Sequence, residues 1–157
     1  MLDTEGLIEV AVAIELECAA LYEVFARRFS DNAEFVYFWK LYAEAERYHA
    51  ASIRIHQATF SGEEPPVAPV DLASARQLLA ELRAERSHAE RDPLTAVDAL
   101  QMARRVEEHS AELHGRTQFF AGKPELVEMF EQMAAEDRAH RDMLSSAEKR
   151  FGAAEAH

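Results

Sequence analysis

The four residues Glu46-Arg47-Tyr48-His49 are matched later in the chain by Asp137-Arg138-Ala139-His140, so the pattern acid-Arg-x-His occurs twice. Residues three apart lie on one face of a helix, and the acid and the histidine of each copy therefore point the same way. Both copies lie in long stretches whose apolar residues recur every three or four positions, which is typical of amphipathic helices. The repeat predicts two helices that each direct a carboxylate and an imidazole into the interior.

Apolar periodicity outside the repeat predicts two further long helices and a shorter one. The four long helices are expected at about residues 4–29, 33–60, 93–121 and 124–151, with a frayed tail over 152–157. Residues 61–92 form a long connection that contains a short helix at about 72–90. Such a connection allows the third long helix to start at the far end of the bundle. We therefore expect one domain with an all-α fold, an antiparallel four-helix bundle with one long crossover between helices 2 and 3.

Each of the four long helices carries one carboxylate at mid-length, at Glu15, Glu46, Glu107 and Asp137. In an antiparallel hairpin, residues equidistant from the turn lie at the same level. Glu15 and Glu46 are centred at position 30.5, and Glu107 and Asp137 at position 122, and both positions fall in predicted turns. The spacings, 31 and 30 residues, also match. The sequence therefore predicts an internally duplicated hairpin with four carboxylates at one level.

Four buried carboxylates at one level repel each other unless cations or protons lie between them. With His49 and His140 one turn beyond two of the acids, the side chains offer oxygen and imidazole ligands. Such a set suits iron or manganese better than a structural zinc ion. Two iron ions are the expected cofactor, with manganese or another divalent metal as the alternative.

These residues resemble the ferritin-like di-metal pattern, a Glu from each of two helices and a Glu-x-x-His from each of the others. Within that superfamily, the chain resembles rubrerythrins in two sequence motifs. Glu15 is followed seven residues later by Tyr22, and residues 46–49 match the second-helix motif. The resemblance covers about residues 7–151 and implies a ferritin-like bundle.

The resemblance also implies a ligand set and an activity. Glu15 and His49 would be terminal ligands of one iron, Glu107 and His140 of the other, and Glu46 and Asp137 would bridge them. A diiron oxidoreductase of this type reduces peroxide or O2, the small-molecule oxidant, with electrons from a separate donor. The resemblance also implies a homodimer, since bundles of this type commonly pair.

Three features depart from the rubrerythrin pattern. The chain has one cysteine, Cys18, and so lacks the four-Cys rubredoxin module. The position three residues after Glu107 is Ser110 where rubrerythrins carry a further Glu. Asp137 is one methylene shorter than the expected Glu, and Glu136, its neighbour, lies about 100° away around the helix.

Several alternatives stay open at the level of sequence. Glu108 can replace Glu107 as the ligand, and solvated surface charges remain the simplest interpretation of any one acid alone. Tyr22 and His114 are candidates for hydrogen bonding to the ligands, and core packing explains each equally well. Iron storage or detoxification by a ferroxidase is the alternative function. A third possible function is that of an interaction module, a bundle whose metal site is degraded.

The composition disfavours several classes of binding partner. The net charge of −12 disfavours binding to nucleic acids and to anionic membranes. The acidic N-terminus does not resemble a signal peptide, and no apolar run approaches the roughly 20 residues that span a bilayer. We therefore expect a cytoplasmic protein without nucleic-acid or membrane partners.

Overall fold

The computed structural model describes residues 4–57, 72–116 and 124–155, and within these ranges the chain forms five helices and no strand. The helices are α1 (Thr4–Arg28), α2 (Ala33–Gln57), α3 (Leu72–Arg91), α4 (Ala96–Arg116) and α5 (Pro124–Glu155). The prediction of an all-helical chain is confirmed. None of these helices, over the residues described, has an apolar stretch long enough to cross a bilayer.

Most helix ends lie within one residue of their predicted positions. Parts of the predicted second and third helices, residues 58–60 and 117–121, lie outside the described ranges, as do residues 61–71 of the long connection. The predicted frayed tail is wrong over 152–155, because α5 continues as a helix to Glu155.

The predicted start of the third long helix, at residue 93, is also wrong, because α4 begins at Ala96. The hydroxyl of Thr95 accepts a hydrogen bond from the backbone N of Asp98 at 3.1 Å. In return, Asp98 Oδ2 accepts bonds from the backbone N of Thr95 at 3.0 Å and from its hydroxyl at 2.7 Å. This reciprocal pair is a capping box, which fixes Thr95 as the N-cap.

A short turn joins α1 to α2 in an antiparallel hairpin. Asn32 caps α2, since its Oδ1 accepts a hydrogen bond from the backbone N of Phe35 at 3.1 Å. Phe29 packs on Phe35 next to the turn, with ring centroids 5.1 Å apart, and Tyr22 stacks on Trp39 further away at 5.7 Å. The predicted turn between the first two helices is confirmed.

Contacts along the other helices give their directions. Gln101 of α4 donates a hydrogen bond to Glu148 of α5 at 3.0 Å, and these two helices pack closely. On the outside of α1, Arg28 donates to the backbone O of Asp92 at 2.8 Å, while Glu17 pairs with Arg86 nearer the start of both helices. The helix α3 therefore runs alongside α1 in the same direction.

Two apolar clusters fill the interior. The larger one includes Phe25, Trp39 and Leu100, and the smaller one includes Val12 and Ile53. On both α1 and α2, the buried acids lie at mid-length between residues of the two clusters. The fold therefore places a polar layer inside an otherwise apolar core.

Candidate metal centre

The four predicted carboxylates are all buried, one on each of α1, α2, α4 and α5. Glu15 and Asp137 are 0% exposed, Glu107 is 1% and Glu46 is 2% exposed. Ionised carboxylates are costly to remove from water without a compensating charge. The interpretation of these acids as solvated surface charges is therefore wrong. Glu108, the alternative to Glu107, is exposed and points away from the interior.

Glu15, Glu46 and His49 form the first close group. Nδ1 of His49 lies 3.4 Å from Glu15 Oε2 and 3.3 Å from Glu46 Oε2. One ligand atom from each of the three side chains lies within 4.8 Å of the others. The three side chains converge from two helices on one point, so they can hold a metal ion.

Glu46, Glu107 and His140 form a second group that meets the same 4.8 Å criterion. Nδ1 of His140 lies 3.5 Å from Glu107 Oε2. The two imidazole rings, His49 and His140, have centroids 6.5 Å apart. Glu46 belongs to both groups, and its carboxylate is therefore the side chain that connects them.

Asp137 lies at the same level, but it is not part of either close group among the described residues. Its Oδ1 is 3.8 Å from His49 Nδ1, farther than the corresponding oxygens of Glu15 and Glu46. The missing methylene relative to Glu explains a shorter reach into the centre. Asp137 is thus buried beside the first group and set back from it.

The buried carboxylates of this layer repel each other, and the His49 imidazole partly compensates their charge. Burial, together with the negative charges of Glu107 and Glu15, raises the pKa of Glu46 well above its ordinary value. Burial alone would lower the pKa of His49, but its contacts with Glu15 and Glu46 outweigh burial and raise that pKa to about 12. When no metal is bound, a proton on His49 therefore offsets part of the negative charge of the buried acids. A bound cation would take over that role.

Unsatisfied ligand atoms test whether a metal fits this layer. Within the described part of the chain, Oε2 of Glu46, Oε2 of Glu107 and Nδ1 of His140 have no hydrogen-bond partner. Buried polar atoms of this kind are rare in native proteins and require an explanation. Carboxylate oxygens and imidazole nitrogens are ligands of iron and manganese. The donor set and the unsatisfied atoms fit a bound cation at this position.

Tyr22 makes a direct contact with the layer. Its hydroxyl donates a hydrogen bond to Glu107 Oε1 at 2.6 Å, and the whole side chain is buried. Burial and the charges of Glu107 and Glu46 raise the pKa of Tyr22 well above its ordinary value, so the hydroxyl keeps its proton. Tyr22 is thus a donor that orients Glu107. His114 lies on α4, but its side chain lies outside the described part of the structure.

Glu136 holds the other side of the His49 ring. Its Oε2 lies 2.8 Å from His49 Nε2, so the two nitrogens of His49 face different carboxylates. Burial opposes ionisation of Glu136, but hydrogen bonds with His49 and Gln132 hold its pKa below the ordinary value. Sequence analysis considered Glu136 only as a substitute for Asp137. Glu136 precedes Asp137 by one residue on α5, and its side chain therefore points toward His49 of α2.

Cys18 and Ser110 lie one turn beyond Glu15 and Glu107, respectively, and both are buried. The Ser110 side chain favours a lower pKa of the Cys18 thiol, but burial outweighs this effect. Burial, followed by the charge of Glu46, raises the pKa of Cys18 well above its ordinary value, which keeps the thiol protonated. A neutral thiol on α1 and a hydroxyl on α4 therefore lie one turn from the acids, and Ser110 is the position at which the sequence departs from the resemblance.

Scans of protein-family profiles, curated proteins and solved structures each gave no match to this chain.

Proposed function

We propose that the chain is a diiron-carboxylate oxidoreductase of rubrerythrin type, which reduces peroxide or O2 with electrons from a separate donor. The observation that carries the proposal is the position of Glu46, whose carboxylate belongs to both groups of metal-ligand atoms. A carboxylate shared between two such groups is suited to bridging two ions. A single-metal site would leave one of the two buried groups unexplained.

The helix directions support a ferritin-like arrangement within the proposal. Contacts place α1 antiparallel to α2, and α4 antiparallel to α5. Since α3 runs alongside α1, it carries the chain from one end of the bundle back toward the other. That direction supports the proposed long crossover between the two hairpins.

Glu15, Glu46, His49, Glu107 and His140 would hold the metal. A bound pair of ferrous ions would supply the two electrons needed to reduce hydrogen peroxide, with two protons, to two water molecules. Neighbouring side chains hold and orient the side chains that would bind the metal. Tyr22 fixes Glu107 through its 2.6 Å hydrogen bond, and Glu136 fixes His49 at 2.8 Å. The apolar clusters on both sides of the layer exclude water from it.

We assign the role of electron donor to a separate redox group. The 157 residues contain one cysteine, Cys18, which is buried, and one cysteine does not make a four-Cys iron site.

Ferrous-ion titration with anaerobic protein tests the proposal. We expect uptake to saturate at about two ions per chain, as in other di-metal bundles. Peroxide should then be consumed at one molecule per two ferrous ions oxidised. A chain that takes up no ferrous ion would contradict the proposal. Uptake that continues far beyond the ligand set, with growth of a mineral, would favour the alternative, iron storage.

Substitution of Tyr22 by phenylalanine removes the hydrogen bond to Glu107 and leaves the ring in place. Because such outer partners orient the ligands directly bound to a metal, we expect the affinity for ferrous ion to fall about tenfold. Competition with a calibrated chelator measures the change. Tyr48→Phe removes the hydroxyl of an exposed tyrosine and serves as the matched control. Equal affinities in the two variants would show that Tyr22 serves only to pack the core.

Substitution of Glu136 by glutamine keeps the shape of the side chain and removes its charge from His49. A carboxylate on the far nitrogen makes an imidazole a better ligand, so we expect the metal affinity to fall about 10- to 100-fold. Glu128→Gln is the control, because Glu128 is an exposed acid on the same helix, two turns away. If both variants bind metal equally, the His49–Glu136 contact has no influence on the centre.

A further inference from the structure

An apolar cavity lies between α2 and α5. Its volume is about 560 Å³. Both helices contribute aromatic and aliphatic side chains to its lining, namely Tyr37, Phe38, Leu41, Met143, Ala147 and Phe151. Sites for small molecules are clefts of this size, and most of their lining is apolar. We call this space, with its lining residues, the α2–α5 cavity.

The charged side chains that line the α2–α5 cavity have partners within the chain. Glu34 pairs with Arg150, whose guanidinium also lies 4.9 Å from the ring centroid of Phe151. Asp142 pairs with its neighbour Arg141 at 3.8 Å. A charged molecule would lose water on entering the cavity and would have to compete with these pairs, whereas a neutral molecule would not. The lining therefore favours a neutral, apolar occupant.

Two aromatic rings connect the cavity with the metal centre. Phe38 lines the cavity, and its ring centroid lies 4.7 Å from that of Tyr42. The buried Tyr42 ring lies 4.7 Å from the imidazole of His140, and its hydroxyl donates a hydrogen bond to the backbone O of His140 at 2.9 Å. His140 belongs to the second group of metal-ligand atoms. A molecule that contacts Phe38 in the cavity is therefore two packed rings away from a candidate metal ligand.

This arrangement suits the transfer of electrons better than the passage of a molecule. An oxidant in the cavity would have to move past Phe38 and Tyr42 to reach the metal, and protein interiors are closely packed. Electrons tunnel through packed side chains without any atom leaving its place. The α2–α5 cavity is therefore suited to an electron donor.

We propose that the α2–α5 cavity binds a neutral quinol as electron donor, and that Phe38 and Tyr42 conduct its electrons toward His140. The planar quinol ring can stack on the aromatic lining of the cavity. Its oxidation to the quinone releases two electrons and two protons. The electrons reduce two ferric ions to ferrous ions, and the protons equal in number those taken up when peroxide becomes water. The destination of the electrons rests on the proposed function, whereas binding of the quinol does not.

Other small donors and another cavity fit less well. A flavin nucleotide carries phosphate, which would need a cation, and Arg150 already pairs with Glu34. Another cavity between the same helices has a volume of about 220 Å³ and is lined in part by Glu125, Glu128 and Glu136. Because it is smaller and acidic, it suits neither an apolar ring nor an anion.

The fluorescence of Trp39 tests binding on the metal-free chain. Trp39 is the one tryptophan in the sequence, it is fully buried, and its ring centroid lies 5.0 Å from that of Phe38. Naphthoquinone, an electron acceptor, should quench this fluorescence when it occupies the cavity. We expect saturable quenching with a dissociation constant of about 10–100 µM. Free tryptophan amide in solution serves as the reference for collisional quenching, which does not saturate.

Two substitutions place a charge in the apolar lining. Leu41→Glu and Met143→Glu both alter exposed side chains, so circular dichroism should show unchanged helix content. We expect each to weaken binding of naphthoquinone at least about tenfold. Leu16→Glu is the matched control, an exposed leucine on α1 outside the cavity, and it should bind the probe as the wild type does. Quenching that does not saturate, or equal affinities in all these chains, would overturn the proposal. A second copy of the chain that occupies this face and excludes the probe would also overturn it.

Anaerobic stopped-flow reduction of the iron-loaded chain by naphthoquinol tests the route of the electrons. We expect one quinol to reduce two ferric ions, and we expect Leu41→Glu to slow this reaction about tenfold below saturation, in proportion to the weaker binding. Dithionite needs no cavity and should reduce both chains at the same rate. Equal rates with naphthoquinol would overturn the assigned route. If the chain binds the probe but takes up no ferrous ion, the diiron function fails, while the quinol site is supported.

Discussion

Substitution of Glu46 by alanine is expected to remove metal from both groups of ligands at once. Among the described residues, Glu46 is the carboxylate that belongs to both groups of ligand atoms, so its loss reduces each group to two side chains. Residues that merely support a ligand change metal affinity by about 10- to 100-fold, and we expect more than about a hundredfold for a shared ligand. Elemental analysis after loading with ferrous ion and desalting measures the effect.

A matched control lies on the same helix, two residues earlier. Glu44 is 72% exposed in its side chain and pairs with Arg47 at the surface. Glu44→Ala removes the same chemical group from the same helix and should retain full metal content. Full metal content in Glu46→Ala would mean that Glu46 does not bridge, and the two ligand groups would then need another interpretation.

Loss of metal in Glu46→Ala should not come from unfolding. Burial and repulsion by Glu107 and Glu15 raise the pKa of Glu46, so removal of this carboxyl group relieves an unfavourable charge. The substitution also leaves a small cavity, which costs stability. Because these two effects oppose each other, we expect the far-ultraviolet circular dichroism of the variant to match that of the wild type.

The helices could be predicted from the sequence where local signals decide them. Apolar periodicity predicted the five helices, and Asn32 as an N-cap and Pro124 as a first-turn residue agree with the starts of α2 and α5. The start of α4 was predicted at about residue 93. The structure begins the helix at Ala96, because Thr95 and Asp98 cap each other. The Thr-x-x-Asp pattern at residues 95–98 is present in the sequence and locates this start.

The level of the buried acids also followed from the sequence, since it depends only on distance from the turns. The depth of each side chain in the layer could not be predicted. Asp137 is set back from both close groups, and Glu136, although partly exposed, contacts His49. Both outcomes depend on how α5 is rotated against α2, and that rotation results from packing between distant parts of the chain. The helical repeat predicts on which face of its helix a residue lies. It does not predict which residue of another helix that side chain contacts.

The exposed apolar side chains of α2 could not be predicted for a similar reason. The helix α2 carries apolar residues on two faces, one with Trp39 and Ile53 and one with Leu41 and Ile55. Periodicity alone cannot tell which face is inside when both are apolar. The interior face was identified by the buried Glu46 and His49, and the other became recognisable as an exposed surface only in the folded chain.

Metal binding should stabilise the fold, because the buried carboxylates repel each other without a cation. Free metal at 100 times its dissociation constant stabilises a folded chain by about 2.7 kcal/mol. For a chain of 157 residues this corresponds to an increase in Tm of about 5–10 °C. Differential scanning calorimetry with anaerobic ferrous ion, or with Mn²⁺, measures the shift.

Two controls separate binding at the centre from general screening of the net charge of −12. Mg²⁺ at the same concentration screens the surface equally, but it prefers octahedral oxygen coordination and dehydrates reluctantly, so its effect on Tm should be small. Glu46→Ala keeps almost all of the surface charge and loses the shared ligand, so added ferrous ion should barely change its Tm. Equal shifts in wild type and variant would place the stabilising ions on the surface. A shift confined to the wild type would link the cost of burying four acids directly to the metal that they bind.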